Sequence, residues 1–568
     1  GHLFVEKKSG KLDNLKESLK GAGHYSNVGI GHTRWATHGV PTDVNSHPHC
    51  SCDKKVAVVH NGIIENYAVL KDELIEKGYV FSSDTDSEVA AQLFSYLYTG
   101  DLLETIMKVR DKIRGSYALG IIHEEQPDKI ICTRKESPLI IGLGKDKNFI
   151  ASDVPAILKY TRDVIFLEND EIAVIEEGKV TVFDKAGKPI TKEVIKIEWD
   201  MEQASKNGYP HFMLKEIEEQ PAVVERTLEV YIKPDGKVDF GKAFEKIDFE
   251  KIKEIDIIAC GTAYHAGLQA AYFFKKMAKI KTNVDIASEF RYSDPFLNEE
   301  NLVIFISQSG ETLDTLMALK LARSKGAKTL AITNVVGSTI SREADIVLYT
   351  VAGPEISVAS TKAYTTQVVT FYLLALYVAF KCKRVTLEEY DSYLDKIYSL
   401  SEKIGKMFFN KEKIEKIAQE IKDKKNGFYI GRGIDEKITR EGSLKMKEIT
   451  YIHTEAFPAG ELKHGPIALI EEGTMIVVVS TQRDMVEKVA SNIKELKARG
   501  AFAISVTKAD YKEILDVSDR VILIDDIDDM VAPLLSMIPL QLLSYYTAVA
   551  KGLDVDKPRN LAKSVTVE

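Results

Sequence analysis

Leu302-Val-Ile-Phe-Ile-Ser307-Gln-Ser-Gly-Glu-Thr312-Leu313 runs from an apolar, β-favouring stretch straight into a cluster of hydroxyls around a glycine. A short apolar run bounded by turn residues reads as a buried strand, and the amphipathic stretch Leu313 to Arg323 as the helix that follows it. A helix start leaves N–H groups unpaired and carries partial positive charge, so an anion is favoured there. Gly310 lets the backbone approach a ligand closely, while Ser307, Ser309 and Thr312 add hydroxyls and Gln308 an amide. No Lys or Arg lies inside the loop, and the P-loop pattern with its lysine is absent. A sugar phosphate therefore suits it better than a triphosphate.

Outward from this stretch, apolar strands alternate with amphipathic helices, which implies a parallel sheet covered on both faces. The alternation repeats. One copy runs through Ile255 to Gly261, Leu302 to Ser307, Lys325-Gly326-Ala327 and Thr329 to Thr333. The other runs through Gly427 to Gly431, Thr474 to Ser480, Arg499-Gly500-Ala501 and Ala503 to Thr507. The same order, spacing and punctuation argue for duplication. The second copy carries Ser480-Thr481-Gln482-Arg483 without the glycine, so one phosphate site is expected for the pair.

Residues before about 200 have a different texture. Short β-rich runs separated by Gly and Asp turns (Lys55 to Val59, Tyr117 to His123, Lys129 to Thr133, Leu139 to Leu143 and four more) predict a largely antiparallel sheet, with helices at Asn66 to Lys77 and Ser87 to Tyr98. The expected division is 1–201, a linker at 202–210, repeats at 211–384 and 385–552, and a tail at 553–568. With 568 residues, 45% hydrophobic and 28% charged, the chain can bury large cores. A net charge of −9 without a dense basic stretch argues against nucleic acid. The longest apolar run, Val368 to Phe380, falls short of the ~20 residues that span a bilayer and reads as a buried helix. Five scattered cysteines, with no signal-peptide pattern, point to the cytoplasm. His47-Pro-His49-Cys50-Ser-Cys52 matches no usual zinc spacing, so no metal is expected.

Chemistry gathers in the second copy and the tail. Glu441, Lys445 and Glu448, at i+4 and i+3 spacing, share one face of a helix predicted over Thr439 to Thr450. A loop pinned by Pro458 and Pro466 presents His464. Carboxylates move protons next to carbonyls, and a histidine can open a sugar ring. Lys563, on a polar tail, reads by itself as a surface residue.

Several motifs, in order along nearly the whole chain, resemble the glutamine–fructose-6-phosphate aminotransferase (isomerising) family. They are Gly31-His-Thr-Arg34-Trp35-Ala-Thr-His38-Gly39, His60-Asn61-Gly62-Ile-Ile-Glu-Asn66, Thr85-Asp86, Ser307 to Thr312, Glu461-Leu-Lys-His464-Gly-Pro466 and Arg559 to Glu568. The resemblance implies an Ntn-type glutaminase domain of αββα layers, truncated at its start, followed by two SIS-type doubly wound domains. It implies an enzyme without cofactor that converts fructose 6-phosphate and glutamine into glucosamine 6-phosphate and glutamate. Arg34 would clamp the glutamine carboxylate, Asp86 its ammonium, and Asn61 and Gly62 would serve the oxyanion. Trp35 would stand at the mouth of an ammonia channel. Cys260, Gly261, Thr262 and the loop Ser307, Gln308, Ser309 and Thr312 would hold the sugar phosphate. Lys563 would form a Schiff base at C2, and Glu448 would move the C1–C2 proton beside Lys445. His464 would reach in from a neighbouring subunit, which makes a homodimer.

The family's N-terminal nucleophilic cysteine does not match Gly1-His2-Leu3. The expectation is that the glutaminase half lacks its nucleophile as written and that the chain uses free ammonia at best. Two other readings of the duplicated domain are open: a sugar-phosphate sensor, and an isomerase or deglycase without nitrogen transfer. The glutaminase-like part speaks against the second.

Overall fold

The computed structural model describes residues 2–21, 26–34, 39–198 and 205–566. The chain forms two compact units, Gly1–Met201 with Glu311–Leu313 and Ser564–Glu568, and Glu202–Gly310 with Asp314–Lys563.

In the first unit, the apolar alternation of the early strands builds two antiparallel sheets of seven and four strands. Successive residues of a strand point to opposite faces, and the core is divided accordingly. Leu119 and Ile121 pack with Leu70, Leu74, Phe94 and Ile106 beneath a helical layer, whereas Ala118 and Cys132 pack with Ile141 and Ile165 between the sheets. The two expected helices are present as Tyr67–Glu76 and Ser87–Leu97. Two more, Leu12–Ser18 and Leu102–Lys112, were not expected; the start of the second is set by Asp101, whose side chain accepts a hydrogen bond from Glu104 N. His47 and His49, from the rejected metal motif, are buried side chains whose rings pack edge-on at 4.7 Å.

The second unit holds two five-stranded sheets in which every pairing is parallel. The first runs in the order Lys281–Ile286, Glu254–Ala259, Asn301–Ser307, Lys328–Thr333, Ile346–Tyr349. The second runs His453–Pro458, Asn426–Gly431, Met475–Ser480, Phe502–Lys508, Arg520–Ile524. Both follow the order 2-1-3-4-5 of a doubly wound sheet, and the register agrees as well: Ser307 pairs with Thr333, and Ser480 with Thr507. The duplication read from the punctuation is therefore a duplication of fold. The apolar run Val368 to Phe380 lies in the longer helix Lys362–Lys381. This helix and Ala532–Ala550 are long and apolar enough to cross a membrane, but 94% and 89% of their apolar windows are buried against protein, so both are core helices here.

One boundary differs. The helix predicted from Thr439 begins at Ile434. Gly433, at φ +61°, turns the chain off the strand Asn426–Gly431 and is the N-cap of this helix.

Candidate functional site

In a doubly wound sheet the ligand crevice lies at the carboxyl ends of the first and third strands, where the winding reverses. In the first repeat these ends lead into Cys260-Gly261-Thr262 and Ser307 to Gly310. Cys260 is the N-cap of the helix Gly261–Phe273, and burial pushes its thiol pKa up. The Ser307 hydroxyl accepts from Gly310 N at 3.0 Å, which folds the loop back on itself. The backbone then ties it to the next crossover: Asn334 N donates to Gln308 O, and Ile340 N to Gly310 O. Gly310 sits at φ +68°, and a Cβ there would lie 2.0 Å from Ser338 Oγ and 2.7 Å from Thr333 Oγ1. The glycine is required sterically, and it brings two further hydroxyls, Thr333 and Ser338, which sequence reasoning passed over. Thr312 directly precedes the helix Leu313–Ser324.

Thr262 faces a second cluster. Its hydroxyl donates to Glu441 at 3.0 Å and receives Lys445 Nζ at 3.0 Å. Lys445 also lies 3.3 Å from Glu441 and 2.6 Å from Glu448. The side chains of Glu441 and Lys445 are fully buried. Burial disfavours the Lys445 ammonium, but Glu441 and Glu448 outweigh it and hold the pKa above the usual lysine value. Glu441, noticed in the sequence without a role, accepts from His265 Nδ1 at 2.7 Å. The shared i+3/i+4 face is thus an internal ion network, with Glu448 as its partly exposed member.

Lys563 meets neither Glu448 nor Lys445 in any described contact. It pairs with Glu355 at 2.5 Å, and its own side chain is only 19% exposed, so it is no surface lysine. Glu355 was missed, although Gly353-Pro354-Glu355 follows a strand in the same Gly/Pro-pinned manner that singled out the His464 loop. His464 ends the short turn Glu461–His464, is exposed, and has no described contact with Lys445, Glu448 or Lys563.

In the first unit, Asn61 and Gly62 lie on the strand Val56–Ile64. His32 Nε2 donates to Asn61 Oδ1 at 2.7 Å, which turns the amide NH2 of Asn61 away from the ring. Gly62, at φ +127°, passes so close to the next strand that a Cβ would stand 2.1 Å from Ser116 O. Asp86 occupies the N-cap position of the helix Ser87–Leu97 without a side-chain capping bond, and its Oδ2 accepts from Ile64 N at 2.8 Å. Arg34 donates to Gly39 O at 2.8 Å and lies within electrostatic range of Asp86. Trp35 lies outside the described residues. Among the described residues no group of His, Cys, Asp and Glu has the geometry to hold a metal.

Known proteins match along the whole chain. Residues 248–377 and 420–551 each match the SIS domain, and residues 32–159 the glutamine amidotransferase domain. The chain is 59% identical over 566 residues to a glutamine–fructose-6-phosphate aminotransferase (isomerizing) of Fusobacterium nucleatum, covering 100% of this chain and 93% of that one. It is 44% identical over 567 residues to its namesake in Thermus thermophilus, covering 100% and 93%. The C-terminal domain of glucosamine-fructose-6-phosphate aminotransferase from Francisella tularensis superposes with a TM-score of 0.60 at 42% identity, over 62% of this chain and 100% of that one. The chain belongs to the glutamine–fructose-6-phosphate aminotransferase (isomerizing) family.

Proposed function

We propose that this enzyme makes glucosamine 6-phosphate and glutamate from fructose 6-phosphate and glutamine, in the cytoplasm and as a homodimer. The observation that carries the reading is the pairing of Lys563, at the far end of the chain, with the buried Glu355. A polar tail is normally frayed; here an amine on it is held in place. In this reading the phosphate of fructose 6-phosphate sits on Cys260, Gly261, Thr262 and the loop Ser307, Gln308, Ser309 and Thr312. The Lys563 amine adds to C2 of the opened sugar, and the C2 oxygen leaves as water, which yields the imine. Ammonia displaces the Lys563 amine from this imine, and Glu448 takes the proton from C1 and returns it to C2, with Lys445 balancing its charge. His464 of a neighbouring subunit opens the ring. In the glutaminase half, Arg34 and Asp86 grip the two ends of the amino acid, and Asn61 and Gly62 donate to the oxyanion. Trp35 stands at the mouth of the route taken by ammonia.

Borohydride reduction in the presence of fructose 6-phosphate tests the reading. The expected result is one hexitol phosphate adduct, found on the Lys563 peptide by mass spectrometry, and ammonia-dependent formation of glucosamine 6-phosphate before reduction. A chain that binds the sugar phosphate but gives no adduct is a sensor, and the proposal falls.

A further inference from the structure

Glu355 is built in more firmly than a counter-ion needs to be. Its side chain is fully buried. Oε1 accepts from Thr361 N at 2.9 Å and Ala363 N at 3.0 Å, and Oε2 from Ser360 Oγ at 2.8 Å and from Lys563 Nζ at 2.5 Å. Thr361 is the N-cap of Lys362–Lys381, a 20-residue helix whose dipole favours a carboxylate at this end. The carboxylate is therefore seated on the rigid core, whereas Lys563 lies on a tail segment without helix or strand.

Other ionisable groups pack around Glu355. On the side of the helix Phe212–Glu218, Glu216 accepts from Ile356 N at 2.5 Å and Ser357 N at 3.2 Å, and its Oε2 has no hydrogen-bond partner. Burial and the charge of Glu355 push its pKa up. Lys362 lies 2.7 Å from Glu219, and Lys215 3.4 Å from the same carboxylate. Burial disfavours the Glu355 anion, yet Lys563 and the helix N–H groups more than offset it and bring its pKa down to about 2. Of the two buried carboxylates, Glu355 is the one that pairs with Lys563.

We propose that Glu355 is the positioning residue of Lys563, fixing the amine of the mobile-by-sequence tail to the N-terminus of a core helix so that it stands where the sugar carbonyl arrives. The inference rests on the reading of Lys563 as the Schiff-base amine. A misplacement of about 1 Å can cost roughly a hundredfold in rate while ground-state binding is unaffected. E355Q keeps the acceptor for the helix N–H groups and removes the charge; E355D keeps the charge and shortens the reach.

The experiment measures kcat and KM for ammonia-dependent synthesis and the rate of borohydride trapping on Lys563, with folding checked by circular dichroism. E355Q is expected to lower kcat and the trapping rate together by about 100-fold with KM for fructose 6-phosphate within about twofold, and E355D to recover part of the loss. E355Q within about threefold of wild type in both rates overturns the inference, as does a loss that falls on KM as much as on kcat. Should E355Q not fold, E355D decides: a kcat within about threefold of wild type overturns it. Absence of an adduct in the wild-type protein is a different outcome, which removes the Lys563 reading itself.

Discussion

The two repeats share strand order and register, yet their equivalent loops spend their donors differently. After Ser307 the backbone folds around Gly310 into a loop tied down from behind by Asn334 and Ile340. After Ser480 the next residue, Thr481, gives both its N–H (2.7 Å) and its hydroxyl (2.6 Å) to the carboxylate of Asp435, which is 1% exposed. At the crevice of the second sheet a carboxylate of the protein takes both donors of Thr481, whereas the loop of the first repeat is the one proposed to take the anion of a ligand. Duplication kept the architecture, and in the proposed function one internal charge separates a binding loop from a structural one. The chemistry moved correspondingly: the second repeat contributes Glu441, Lys445 and Glu448 from the helix Ile434–Thr450, which packs on the first repeat through Thr262 and His265.

The sharpest way to break this contrast is to put the same methyl group into both copies. In Gly310→Ala the new Cβ collides with Ser338 and Thr333 and the backbone is left-handed. Overpacking and φ strain together should cost about 3 kcal/mol or more, and affinity for fructose 6-phosphate should fall at least about tenfold. In Gly433→Ala, at φ +61° and ψ −127° and with nothing within 4 Å of the Cβ, strain alone remains, about 1–3 kcal/mol, with affinity unchanged. Thermal unfolding and calorimetric titration of both variants provide the comparison; equal losses of affinity would remove the special standing of Gly310 in the first repeat.

A subtler pair removes one hydroxyl from each loop. Thr481→Ala strips a donor from a buried carboxylate and should cost about 1–3 kcal/mol of stability with little change in KM. Ser307→Ala loosens the loop closure at Gly310 and should raise KM for fructose 6-phosphate with a smaller loss of stability. Urea unfolding together with steady-state kinetics separates the two, and a KM effect for Thr481→Ala larger than that for Ser307→Ala would reverse the assignment.

What could be read in advance followed the chain's local grammar. Strand ends marked by Ser307 and Ser480, and helix ends marked by Gly326 and Gly500, exposed the repeat because turn chemistry and burial act over a few residues. The missing glycine showed that the second loop differs, but Asp435, which fills it, lies 46 residues upstream of Thr481. Glu355 and Lys563 are 208 residues apart, and nothing local to either marks the other. Glu441 was visible at the correct helical spacing; its complete burial was not, because its partners Thr262 and His265 come from the other repeat. Pairings of this kind are set by the topology, which brings the carboxyl edges of distant strands together, and not by the pattern around each residue.

The smallest expected effect reads the charge of Asp435 directly. Burial, with Asp529 adding to it, raises its pKa from 3.8 to about 6. The folded protein therefore keeps this proton over a range in which the unfolded chain has released it. Between about pH 4 and pH 6 the native state binds more protons than the unfolded state, so this group's contribution to stability declines as pH rises and levels off above pH 6. Asp435→Asn retains an acceptor for Thr481 N–H and has no charge to bury, so it lacks the decline. The Tm of the variant minus that of wild type should accordingly grow by a few degrees from pH 4 to pH 6.5 and stay constant beyond. Other titrating groups cancel in this difference, since both proteins carry them. A difference that is flat from pH 4 to 6.5 would mean that the second loop does not hold a strained internal anion, and the contrast between the two repeats would then rest on glycine sterics alone.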